Sequence, residues 1–238
     1  MLCNGRFSAG RETGRNPEMK KEKIQVHKEP PRRSILEEVG NAVTHGIGAL
    51  LGMAGLVLLL LRSDTGIRIC ASLIYGTCLI LMFLMSCLYH GFKWGTKVKR
   101  LWRRFDYISI YLLIGGTFTP LWLLYLGGSV GTICCIAEWA VILTGITLIG
   151  VFGTDRARWV HMTLYVVLGW CGLVFLPKMV SSNLTLFFFT LGGGLLYTIG
   201  IIPFAMKKRG AHFIWHFFVL FGAVAHWFGI YLELYLPM

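Results

Sequence analysis

From Val39 onward the chain is a succession of apolar runs separated by short polar breaks. Seven runs can be read, at residues 40–61, 69–91, 105–126, 132–152, 159–176, 185–205 and 212–234. Each approaches the ~20 residues that an α-helix needs to cross ~30 Å of hydrocarbon. They are too long for strands and lack the two-residue alternation of one. The breaks, among them Arg62–Arg68, Gly127–Gly131 and Gly153–Arg158, hold turn-forming and charged residues. The pattern predicts an all-α polytopic membrane protein, a seven-transmembrane helix bundle over 37–238, with the fifth span the shortest. Glycines lie inside the spans, as at Gly48, Gly52, Gly115, Gly116 and Gly192–Gly194. They would weaken helices in water, but in a bilayer they let helix backbones approach closely. Pro120, following Thr117 and Thr119, predicts a kink in the third span.

Composition agrees with the pattern. Of 238 residues, 55% are hydrophobic and 14% charged, against about 25% charged in soluble domains. This excludes a disordered chain and a disulfide scaffold, and leaves the net charge of +12 to be explained without nucleic acid. Residues 1–36 hold nine of the basic residues together with Pro30 and Pro31, and read as a basic, disordered cytoplasmic tail. Its cations would also be attracted to anionic lipid, at about 1 kcal/mol each near the surface. No apolar segment follows the first charges, so no cleavable signal peptide is predicted. Sorting Lys and Arg across seven spans places 20 on the side of the N-terminus and three, Arg62, Arg68 and Lys178, on the other. Because cytoplasmic loops carry the Lys/Arg excess, the N-terminus is predicted in the cytoplasm and the C-terminus outside, with the cell membrane as the expected location.

Ionisable residues inside spans are costly, by about 2.5–3.5 kcal/mol each on insertion scales, and here they are few: His45, His90, Asp106, Glu138, His161, His212, His216 and His226. The predicted orientation puts His45, His90, Asp106, His161, His212 and His216 at the basic end of the bundle. His212 and His216 are spaced i, i+4 in "HFIWH", which turns both imidazoles to one helix face, within reach of one ion. His90, in "SCLYH", is the expected third metal ligand. Three histidines with an open fourth position suit a catalytic zinc ion. The Glu of an HExxH motif is missing, since Phe213 stands in its place. Asp106 is the expected proton acceptor, and Ser86, one turn from His90, would orient a water or an oxyanion. Glu38, Asn41 and His45 share a stripe read as a structural helix–helix network. His161 and His226 read as packing histidines, and Glu138 is placed near the outer surface without a role. The seven cysteines include no CxxC pair, which removes cysteine-based zinc binding. Most of them read as small buried hydrophobes; Cys70 and Cys134 both lie near the outer side, where a disulfide is the minor alternative.

Several segments together resemble the hemolysin III branch of the progestin and adipoQ receptor (PAQR) family. They are "EEVGNAVTHGIGALL" at 37–51, "SCLYH" at 86–90, "FDYISIYLLIGGTFTP" at 105–120, "GW" at 169–170, "GGGLLYTIG" at 192–200 and "HFIWHFFVLFGAVAH" at 212–226. The resemblance covers about 37–235 and leaves the tail aside. It implies seven helices with a cytoplasmic N-terminus and a Zn2+ ion held by His90, His212 and His216, with Ser86 and Asp106 nearby. The wider superfamily includes alkaline ceramidases, which share this pattern, so the resemblance implies a zinc-dependent hydrolase of lipid amides with a ceramide-like membrane lipid as partner. It also brings two other readings, a seven-transmembrane receptor and a cytolysin. No nucleic acid and no soluble partner is expected.

Overall fold

The computed structural model describes residues 29–156 and 158–236. Most of the tail, 1–28, and with it Cys3, lies outside the described residues. Seven helical segments are long and apolar enough to cross a membrane: Ile35–Leu61, Gly66–Gly91, Lys97–Leu126, Gly128–Phe152, Arg158–Ser182, Leu184–Ala205 and Ala211–Tyr235. The chain is thus an all-helical, multi-pass membrane protein, as the pattern predicted. Its elements are α1 (Ile35–Leu61), α2 (Gly66–Gly91), α3 (Lys97–Pro120), α4 (Gly128–Phe152), α5 (Arg158–Gly169), α6 (Leu176–Ser182), α7 (Leu184–Ala205) and α8 (Ala211–Ile230).

Local chemistry sets the helix starts. Ser34, Thr65, Thr96 and Asn183 each accept a hydrogen bond from the backbone N–H three residues on, which satisfies a donor the helix leaves free. Gly210, at φ 77°, turns the chain into α8 through a conformation that side chains disfavour.

The third span differs from its predicted start. It begins at Lys97 rather than near 105, because the two cations on its first turns are buried against carboxylates. Lys99 Nζ donates to Glu38 at 2.9 Å, and Arg103 forks onto both oxygens of Asp155 at 2.8 Å each. At Pro120 the α-helix gives way to a π-helical turn over Leu121–Leu126. The ring removes one N–H from the ladder, and the Thr119 hydroxyl bonds back to the Gly115 carbonyl at 2.6 Å. The fifth span is in pieces: α5, a 3₁₀ stretch over Cys171–Phe175, and α6 with Pro177 in its first turn. The cysteines of the described residues, Cys70 and Cys134 among them, are free thiols, so the minor alternative of a Cys70–Cys134 disulfide does not hold.

α2 lies between α1 and α3, α7 pairs with α8, α8 also meets α1, and α3 touches α4, α5 and α8. Residues such as Ile133, Val174, Phe188 and Ile202 are more than 60% exposed and form the lipid-facing surface. One core cluster, built around Tyr75, Trp122, Phe175 and Tyr235, fills one end of the bundle. Another, with Ala49, Met82, Phe83, Val219 and Ala223, packs α1, α2 and α8 together. Gly48 permits that packing, since a Cβ there would sit 2.6 Å from the Phe83 ring. Phe83 in turn meets the His45 ring edge-on at 5.1 Å between centroids. Gly48→Ala is therefore expected to destabilise the detergent-purified protein by about 1–3 kcal/mol through overpacking; unchanged thermal unfolding would show that Phe83 can yield.

The residues just before α1 lie on the bundle. Trp94 Nε1 donates to the Pro30 carbonyl at 2.9 Å, the Arg32 guanidinium stacks 5.3 Å from the Trp94 ring centroid, and Arg100 pairs with Glu29. These contacts fix Arg33 over the end of the bundle where α2 finishes and α8 begins.

Candidate metal centre

α2 ends at Gly91 and α8 starts at Ala211, so His90 sits on the last turn of one helix and His212 on the first turn of the other. One further turn along α8 places His216 beside them. A ligand nitrogen from each histidine lies within 4.8 Å of the other two. His212 Nε2 and His216 Nε2 are 3.3 Å apart. Two nitrogens bound at ~2.0–2.1 Å to one tetrahedral ion would be about 3.3 Å apart, so the pair is spaced for a shared ion.

His90 is oriented from behind. Its Nδ1 lies 2.5 Å from Glu38 Oε2, and the other carboxylate oxygen accepts from Lys99 Nζ at 2.9 Å. The Asn41 amide nitrogen is 3.4 Å from the same Nδ1. With Nδ1 engaged by a carboxylate, Nε2 is left facing the other histidines, and it is buried without a hydrogen-bond partner among the described residues. A carboxylate holding the far nitrogen is the usual support of a metal-bound histidine, fixing both its tautomer and its angle. The donor set, three imidazoles with one nitrogen aimed inward and unsatisfied, fits a metal ion.

The predicted α1 stripe is therefore divided between tasks. Glu38 and Asn41 hold His90, while His45 stacks on His216 at 3.8 Å between centroids and 25° between planes. Both ring nitrogens of His45 are buried, with no well-formed hydrogen bond among the described residues.

Ser86 and Asp106 line the same cavity as His212 and His216, a space of about 790 Å³ that also meets His45, Met82 and Ile110. The Ser86 hydroxyl faces the Asp106 carboxylate, and Ser109 anchors the Asp106 carbonyl at 2.7 Å. The predicted residues from spans two, three and seven thus come together at one end. The other polar residues stay apart from them. His161 bonds to the Tyr111 hydroxyl at 3.0 Å, and His226 bonds to the Thr190 carbonyl at 2.9 Å. Glu138 is buried, taking the Trp122 indole N–H and, at 3.7 Å, the Cys171 thiol.

Two residues at the site carried no such expectation. Lys99 fixes Glu38 from a loop read only as positive charge. Arg33, counted with the tail, lines the cavity, close enough for its charge to act on Asp106 and all three histidines. Its neighbours in sequence are polar and proline-rich, and no periodicity marks it.

Fold and site together define a class: a multi-pass membrane protein that gathers three histidines from two helices beside a polar cavity at one end of its bundle. The chain belongs to the haemolysin-III related family, whose model matches residues 33–227. Hemolysin-3 of Bacillus cereus is 36% identical over 200 residues, covering 82% of this chain and 90% of that protein. A Hemolysin-3 homolog of Bacillus subtilis is 34% identical over 203 residues, covering 82% and 93%. The human monocyte to macrophage differentiation factor is 28% identical over 212 residues, covering 84% and 85%. The match agrees with the hemolysin III branch of the PAQR family expected from the motifs.

Proposed function

We propose that this protein is a zinc-dependent hydrolase of lipid amides, working at the face of the membrane that the charge bias makes cytoplasmic. The observation that carries the reading is the convergence of His90, His212 and His216 within reach of one ion, with Asp106 and Ser86 lining the cavity that His212 and His216 face. Bound there, a zinc ion would act as a Lewis acid on the carbonyl and lower the pKa of water toward ~7. His90, His212 and His216 would hold it, and Glu38 would keep His90 aimed. Asp106 takes a proton from the attacking water as the water oxygen bonds to the acyl carbon. It then passes that proton to the nitrogen as the C–N bond breaks, giving a fatty acid and an amine. Ser86, facing Asp106, orients the carboxylate and the water. A ceramide-like lipid can bring its amide to this depth with its chains in the bilayer.

The test is turnover of a panel of ceramides and simpler N-acyl amides by metal-replete protein, alongside His216→Ala. Turnover that disappears in the variant is the expected result, and a panel that the metal-replete wild type leaves intact removes the reading. Asp106→Asn is expected to keep the metal yet lower turnover by about 10²–10⁴-fold, the range of a lost general base; metal loss in this variant would reassign Asp106 to the ligand set.

The name of the Bacillus cereus relative, Hemolysin-3, supports cytolysis as a second reading. It predicts leakage of red cells or liposomes by nanomolar to micromolar purified protein, independent of Asp106. A buried three-histidine cavity contributes nothing evident to membrane lysis, which places this reading second.

A further inference from the structure

The cavity's charges go beyond what the proposed hydrolysis uses. Its mouth is lined by Arg33, Arg103, Arg158, Lys207, Lys208 and Arg209, contributed by the segment before α1, the start of α3, the start of α5 and the α7–α8 loop. Arg103 is matched by Asp155. Lys207, Lys208 and Arg209 form no ion pair among the described residues. Arg158 lies over the Phe204 ring at 5.9 Å and likewise forms no ion pair among the described residues.

Arg33 stands apart from the rest. Among the described residues its only carboxylate neighbour within salt-bridge range is Glu37, with Nε 3.9 Å from Oε1, which is beyond hydrogen-bond distance. Its Nη1 is buried with no hydrogen-bond partner among the described residues. A buried, unsatisfied guanidinium nitrogen is destabilising. Membrane topology asks only that Lys and Arg lie on the cytoplasmic side; it does not ask that one, already beside the Tyr89 hydroxyl, line a cavity next to His212 and His216 with a guanidinium nitrogen left open.

Deeper in, the walls turn apolar at Met82, Ile110, Phe204 and Trp215. A ligand that satisfies both regions has an acyl chain and, close to its linkage, an anion. We infer that the cavity selects lipid amides whose head group carries an anion, with Arg33 as the inner anchor and Arg158, Lys208 and Arg209 as an outer collar. This rests on the proposed hydrolysis for the amide, while the anion preference stands on the cations alone. An N-acyl amino acid has the required shape, since its carboxylate lies two bonds from the amide nitrogen. The planar guanidinium of Arg33 can take such a carboxylate with two parallel N–H donors. Removal from water strengthens that bond relative to the same pair at a surface.

The inference is tested by competition binding to the full chain in nanodiscs of zwitterionic lipid, with product formation followed in parallel. The probes are N-oleoylglycine, its neutral counterpart N-oleoylethanolamine, and N-acetylglycine, which has the head without the chain. The wild type is expected to bind N-oleoylglycine at least tenfold more tightly than N-oleoylethanolamine, with N-acetylglycine failing to compete at the same concentrations. Arg33→Gln should cut the preference to threefold or less while leaving N-oleoylethanolamine binding within twofold, which also reports that the variant is folded. Lys208→Ala, an exposed change, should reduce the preference in part, and it carries the test should Arg33→Gln fail to fold. Equal binding of the charged and neutral amides, or a preference that neither substitution moves, overturns the anion site. Competition by N-acetylglycine equal to that of N-oleoylglycine overturns the lipid assignment. Preferential binding without any turnover would defeat only the hydrolase reading, and turnover without preference would defeat only this one.

Discussion

Replacing His90 with alanine is expected to reduce the zinc content of the purified protein from about one ion per chain to nearly none, the stoichiometry of a three-histidine site. Among the described residues His90 is the candidate ligand from α2, while His212 and His216 both come from α8. Without it, two imidazoles on one helix remain, and two neutral nitrogen ligands hold zinc far more weakly than three in a preformed site. The ion would also tie α2 to α8 across the bundle, so the loss should lower thermal stability, because metal-binding free energy is available only to the folded state. Metal analysis by mass spectrometry and thermal unfolding with and without chelator check both. Zinc retained by the variant would show that His90 is no ligand, and zinc missing from the wild type would remove the mechanism.

Glu38→Ala should have the second-largest effect, although Glu38 would not touch the metal. It frees His90 Nδ1 from its 2.5 Å partner and leaves the ammonium of Lys99, a residue 1% exposed, without its 2.9 Å carboxylate. Loss of a supporting carboxylate weakens metal sites by about 10–100-fold. Removing one partner of a buried pair costs roughly 3–5 kcal/mol, toward the lower end here because the Glu38 side chain is 15% exposed. Glu38→Gln keeps an oxygen acceptor for one of the two groups and should fall between wild type and alanine in zinc affinity. Equal zinc affinity in all three proteins would mean that Glu38 serves only to bury Lys99.

Both expectations depend on how far the site could be read from the chain alone. The His212–His216 pair was legible because a helix repeats every 3.6 residues and the fourth residue returns to the same face. His90, Ser86 and Asp106 followed once lysines and arginines had been sorted across the spans, since the sorting gives each polar residue a depth. Glu38 and Asn41 were visible as a polar stripe, but the stripe has no partner in the sequence. Its assignment to His90 needed the angle at which α1 crosses α2. Arg33 was not legible at all. Its composition is that of a solvated tail, and only the contacts of Pro30, Arg32 and Glu29 with Trp94 and Arg100 bring it back over the cavity. The early start of α3 was hidden for a related reason. Lys99 and Arg103 argue against a buried helix until Glu38 and Asp155 supply their counter-charges from distant parts of the chain.

What the sequence determined by itself was the number and apolar character of the spans, their predicted orientation, and the depth of each polar residue, because hydrocarbon thickness, helical rise and charge bias act on each segment separately. It did not determine the span ends, as at Lys97, or the length of the fifth span, 25 residues against 22 in the sixth. What only the tertiary structure decided was which residues at one depth face one another. Depth is a property of a helix in a bilayer, whereas the meeting of His90 with Glu38, of His45 with His216, and of Arg33 with the cavity depends on how helices rotate and cross, and packing alone fixes that.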